Sequence, residues 1–126
     1  MTETVTTTDA PEAVGPYSQA KTDGNLVFTA GQLPMTPEGD LLADEPIGVQ
    51  TEQSLSNIKS ILAEAGLDMS DVLKVTVFLD DIDDFASMNE TYAKFFGDEP
   101  PARSAVEVGG LPKGVGVEIE AIAAQS

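Results

Sequence analysis

Hydrophobic and polar positions alternate in two distinct rhythms along this chain. Leu55, Ile58, Leu62 and Ala65 recur at helical spacing, Ile61 widens the stripe, and Gly66 stands where a C-terminal cap belongs. From Val72 to Leu79 the rhythm changes to two: Val75, Val77 and Leu79 alternate with Lys74, Thr76 and Phe78, which predicts a strand. Asp81 and Asp83 offer N-cap oxygens to a second helix, whose apolar face holds Phe85, Met88, Tyr92, Phe95 and Phe96 before Gly97 ends it. Gly15 to Ala20 leads into a further predicted strand, and others are predicted over Leu26 to Gly31, over Arg103 to Val108 and over Val115 to Ala123. Asp23-Gly24-Asn25 reads as a hairpin turn between the first two, and a glycine-rich connection around Leu111-Pro112-Lys113 joins the last two. The order is roughly β-β-α-β-α-β-β, a single domain over residues 1–126, with one mixed sheet carrying two helices on one face.

Composition narrows the chemistry. The chain has 126 residues, a mean hydropathy of −0.04 and no apolar run long enough to span a bilayer, and its N-terminus has no signal-peptide pattern. A cytoplasmic protein without membrane attachment is expected. No cysteine means no disulfide, no thiol nucleophile and no Cys-ligated zinc; no histidine removes the commonest metal ligand and general base. The formal charge of −16 far exceeds the magnitude of roughly 2–8 usual for small soluble domains, so phosphate backbones are repelled and no nucleic-acid partner is expected. Adaptation to high salt, where screening removes self-repulsion, accounts for that excess. The cluster Asp80-Asp81-Ile82-Asp83-Asp84 lacks the spacing of a calcium loop and reads as capping plus a solvated face.

Against that background Arg103 stands out as the only arginine beside 22 acidic residues. Its planar fork grips a carboxylate or phosphate with two parallel hydrogen bonds, although a structural arginine paired to an acid fits the pattern equally. Arg103, Ala105 and Glu107 share one strand face; Glu118, Glu120 and Ile122 share a face of the last strand. Because consecutive strands usually pair, Arg103 and Glu118 are expected to approach each other from neighbouring strands, either as an anion clamp with an adjacent base or as an ordinary cross-strand ion pair. Burial among Val117 and Ile119 would raise the Glu118 pKa, and proximity to Arg103 would lower it. No phosphate-cradling loop and no nucleophile elbow accompany them.

Several blocks are familiar: Ala10 to Ala20, Ala30-Gly31-Gln32-Leu33-Pro34, Lys74 to Leu79, Phe85 to Tyr92, Pro101-Ala102-Arg103-Ser104, Leu111-Pro112-Lys113 and Val117-Glu118-Ile119-Glu120-Ala121. Together, in order and over nearly the whole chain, they resemble the RidA (YjgF) family of reactive-intermediate deaminases. The resemblance implies a chorismate-mutase-like α/β (α+β) fold, assembled as a homotrimer with sites in clefts between subunits. It further implies hydrolysis of 2-imino and enamine acids, such as 2-aminoacrylate, to 2-keto acids and ammonia, with no cofactor and no metal. Arg103 matches the family arginine that binds the substrate carboxylate, Glu118 the acid that orients or activates water, and Tyr17 the tyrosine lining the site. Gly31 matches a backbone contact to substrate, and Phe85 with Asn89 the helix facing the cleft.

An imine is already electrophilic, so anchoring, a positioned water and a proton donor suffice for its hydrolysis, and a chain without histidine can supply all three. Two positions depart from the family pattern: Ala30 where many members carry serine, and Ala105 where many deaminating members carry cysteine. Both departures bear on substrate preference or rate. A non-catalytic trimer binding small carboxylates is the alternative reading. A ribonuclease or translation inhibitor is disfavoured by the charge, the single arginine and the missing histidine.

Overall fold

A computed structural model describes residues 2–125. One six-stranded sheet is built from β1 (Glu3–Val5), β2 (Ala20–Thr22), β3 (Leu26–Thr29), β4 (Val72–Leu79), β5 (Ala102–Glu107) and β6 (Val117–Ala124). Helices α1 (Ile47–Glu64) and α2 (Phe85–Tyr92) cover one of its faces. The sheet order is β1-β2-β3-β6-β4-β5, and all neighbours are antiparallel except β4 and β5.

Helix α1 begins two turns before the apolar stripe that announces it. Its first buried positions are Gln50, Thr51 and Ser54, which are polar, so periodicity reads the helix only from Leu55 onward. These polar groups anchor loops. The Gln50 amide donates to the Glu45 carbonyl at 2.8 Å, and its oxygen accepts from Gly116 N–H at 2.8 Å. Asn57 donates to the carbonyls of Leu33 and Met35 at 3.2 and 2.9 Å, tying down the chain just after Gly31. At the other end, Gly66 (φ 80°) donates to Ala63 O and Leu67 donates to Leu62 O, a Schellman closure that satisfies the final carbonyls.

Leu55, Ile58, Ile61 and Leu62 of α1, Met88 of α2, and Val75, Val77, Leu79, Val117 and Ile119 of the sheet are fully buried. Each aliphatic side chain of that size contributes about 1.5–3 kcal/mol by leaving water. Among the described residues no helix covers the opposite sheet face; Phe28 and Val106 lie there 45% and 43% exposed.

Three expectations need correction. A short first strand, Glu3–Val5, pairs with β2, where no strand is legible in a threonine-rich segment. Asp83 caps nothing: Asp81 accepts from Asp83 N–H at 2.9 Å and caps a 3-10 turn, Ile82–Asp84, that leads into α2. Most consequentially, β5 and β6 are not neighbours. The segment β4-α2-β5 is a parallel crossover, which lays β5 on one edge of β4, and β6 then returns antiparallel on the other edge.

Candidate active site

The inserted strand separates the two residues expected to meet. Arg103 lies opposite Val75 and shares its helix-covered face; Glu118 lies opposite Phe78 and shares the uncovered face. Two strand spacings and three residues along β4 put their Cα atoms about 14 Å apart. Within one chain they form neither a clamp nor an ion pair.

Each residue instead heads its own cluster. Arg103 and Ala105 occupy successive helix-facing positions of the edge strand β5, both half-buried. Above them, Phe85, Asn89 and Tyr92 lie on one face of α2 at four- and three-residue spacing. The Arg103 guanidinium donates to Asn89 Oδ1 at 2.6 Å, and its carbon lies 5.4 Å from the Phe85 ring centre and 4.7 Å from that of Tyr92. Its partners are thus an amide oxygen and two aromatic rings, all neutral, which leaves its charge available to an anion. An open cavity of about 360 Å³ adjoins it, walled by Asn89, Tyr92, Phe96, Pro101 and Arg103. Phe85, often a core residue at such a position, is 37% exposed here because it flanks the guanidinium at the helix edge.

The second cluster forms where β3 leaves the sheet. Phe28 pairs with Ile122, but Gln32 pairs with Ile119, so the register slips by one residue between them and the chain bulges at Ala30 and Gly31. Ala30 N–H donates to the Gln19 carbonyl at 2.8 Å, which fixes the bulge. The Glu118 carboxylate lies directly against Gly31. A Cβ at that position would stand 2.0 Å from Glu118 Oε2, so only glycine leaves the carboxylate room. Tyr17, 53% exposed, and Gly31 wall a cavity of about 280 Å³ together with Lys113, and the Tyr17 hydroxyl accepts from Val14 N–H at 3.4 Å.

Burial pushes the Glu118 carboxyl above its ordinary value, and the like charge of Glu120, two residues along the same face, adds to the rise. Burial also raises the Tyr92 phenol, opposed by the Arg103 charge. Among the described residues no group of three or more acidic side chains is placed to hold a metal ion, and no helix is long and apolar enough to cross a membrane.

The structure therefore brings Arg103, Phe85, Asn89 and Ala105 together, and separately brings Gly31, Ala30 and Glu118 together with Tyr17 at the adjoining cavity. Two further residues join these clusters. Tyr92 is the second ring on the guanidinium; its position seven residues after Phe85 marks it, though the same spacing reads as core. Lys113 adopts a left-handed backbone (φ 59°), rare outside glycine, and its place between Pro112 and Gly114 signals only a turn.

Comparison with known proteins adds an independent view. A RutC family protein of Pyrococcus horikoshii is 54% identical over 123 residues, covering 98% of each chain. The 2-iminobutanoate/2-iminopropanoate deaminase of Escherichia coli is 48% identical over 127 residues, again with 98% of each chain covered. The crystal structure of Escherichia coli TdcF with bound serine superposes with a TM-score of 0.93 at 45% identity, covering 98% of this chain and 99% of that one. Residues 7–125 match the profile of the Endoribonuclease L-PSP family, and with relatives this similar over nearly its whole length the chain belongs to that family, the YjgF/RidA family.

Proposed function

We propose that this protein hydrolyses reactive 2-imino acids and their enamine tautomers to 2-keto acids and ammonia, in sites formed between copies of the chain in a homotrimer. The observation that carries this reading is the separation of the two clusters. Arg103 and Glu118 face opposite sides of one sheet, about 14 Å apart, while a small imino acid spans only a few ångströms. A second copy, laid with its own uncovered sheet face against the β5–α2 edge of the first, would supply Glu118, Gly31 and Tyr17 to the Arg103 of the first.

In that arrangement the Arg103 fork takes the substrate carboxylate. Glu118 accepts a proton from water as its oxygen bonds to the imine carbon. Glu118 returns that proton to the nitrogen, giving the carbinolamine. The carboxylate then takes the carbinolamine hydroxyl proton and passes it to the amine as the C–N bond breaks, leaving the keto acid and ammonia. The Tyr17 hydroxyl and the Gly31 backbone orient the reacting atoms, and Phe85, Asn89, Ala30 and Ala105 shape the cleft. Ala30 and Ala105 remove the hydroxyl and thiol many relatives place there, so the cleft is less polar and favours apolar substrate side chains. No cofactor enters the scheme.

Relatives at 48% identity bearing the deaminase name support this reading, as does serine, an α-amino carboxylate, bound by a homologue. The family description carries an endoribonuclease activity, but a chain of charge −16 with one arginine and no histidine offers RNA few phosphate contacts and no imidazole base. The test is keto-acid formation from enzymatically generated 2-iminopropanoate in molar salt, with Arg103→Ala as control. Acceleration that vanishes in a folded Arg103→Ala variant is expected; equal rates in both overturn the assignment.

A further inference from the structure

We infer that Tyr92 is a positioning residue, whose ring rather than its hydroxyl holds the Arg103 guanidinium in place for a carboxylate. Phe85 and Tyr92 stand two helical turns apart, about 10.5 Å along α2. The guanidinium carbon lies between them, 5.4 and 4.7 Å from their ring centres, and Asn89, midway along the same face, takes one N–H at 2.6 Å. An arginine has five N–H donors, so a cradle made of two rings and one amide oxygen leaves donors in the guanidinium plane for an incoming carboxylate fork.

The rest of the Tyr92 environment favours the ring. The residue is 5% exposed and its ring packs on Phe96 at 4.8 Å, so the face it presents to Arg103 is fixed. Its hydroxyl is buried without a hydrogen-bond partner among the described residues, whereas buried tyrosine hydroxyls usually find partners. A hydroxyl left unpartnered explains no role; a ring 4.7 Å from the only guanidinium does. An acidic partner would hold the arginine as firmly but would neutralise it, and in a chain with 22 acids such partners are abundant. The aromatic cradle orients the cation and leaves its charge unspent.

Because Arg103 is the only arginine, labelling with isotopic arginine reports its guanidinium alone. The wild-type signal is expected to be shifted upfield by the ring currents, and Tyr92→Phe should preserve it. Placing singly, doubly and triply fluorinated phenylalanine at position 92 keeps the shape while draining the ring's negative face. The KM for 2-iminopropanoate is then expected to rise stepwise, by about tenfold in all, with kcat nearly constant. A KM that stays flat across the fluorinated series, or a guanidinium signal already at its solvent position in wild type, overturns the inference. The kinetic arm rests on the deaminase reading. Should the wild-type protein turn over no imine, that reading fails, and the guanidinium signal still decides the role of Tyr92.

Discussion

Replacing Gly31 by alanine is the sharpest single perturbation this structure offers. The added Cβ would stand 2.0 Å from Glu118 Oε2, 2.9 Å from its carboxyl carbon and 3.1 Å from its Cγ. Ordinary contact begins near 3.4 Å, so the carboxylate must retreat by about 1.4 Å. It can do so, because it is the far end of a flexible side chain. The Gly31 backbone also lies outside the left-handed region, so alanine adopts it without strain. Stability should hold or rise, by about 0.4–1 kcal/mol through the unfolded chain. Catalysis should not: misplacing a reacting group by ~1 Å costs on the order of 10²-fold, or about 2.7 kcal/mol in the barrier. Thermal melts beside kcat and KM for 2-iminopropanoate separate the two effects. Shortening the acid in the double variant Gly31→Ala/Glu118→Asp should make the two losses less than additive. A folded Gly31→Ala enzyme with wild-type kcat would refute the idea that Glu118 acts from its seat on Gly31.

Burial, then the Glu120 charge, raises the Glu118 carboxyl above its ordinary 4.5. A carboxyl raised on folding stabilises the fold below its unfolded pKa, and that contribution is lost as pH rises through the folded value. Glu118→Gln should therefore melt above wild type near neutrality, with the gap closing below about pH 4.5; a pH-independent gap contradicts the burial effect. Activity of the same variant should fall in kcat more than in KM. With a charge of −16, the melting temperature should climb as sodium chloride rises from roughly 0.1 to 1 M, where the screening length shrinks from about 10 to 3 Å; a flat or falling curve removes the reading of the charge as adaptation to salt.

How much was legible depended on which residues carried the signal. Val72 to Leu79 alternates cleanly because one face is core and the other is not, so β4 was readable to the residue. The first two turns of α1 were not, since Gln50, Thr51 and Ser54 face inward to hold loops and break the apolar stripe. Arg103 could be singled out by its rarity, and Phe85 and Asn89 by resemblance and shared helix face. Their meeting with Arg103 depends on a parallel crossover that local periodicity does not encode. The same crossover defeated the expectation that β5 and β6 pair. Gly31 carried no hint of its carboxylate neighbour, because that closeness arises from a register slip between distant strands. Tyr92 was visible, but only as one more apolar position.

Mixing two inactive variants tests the shared site most directly. If Arg103 of one copy works with Glu118 of the next, each mixed trimer of Arg103→Ala and Glu118→Gln chains holds one interface in which both residues are intact. Random reassembly at equal amounts makes about three quarters of the trimers mixed, so about a quarter of wild-type activity should return. If both residues served one site within a single chain, no mixture would regain any activity, and the inter-subunit site would be contradicted.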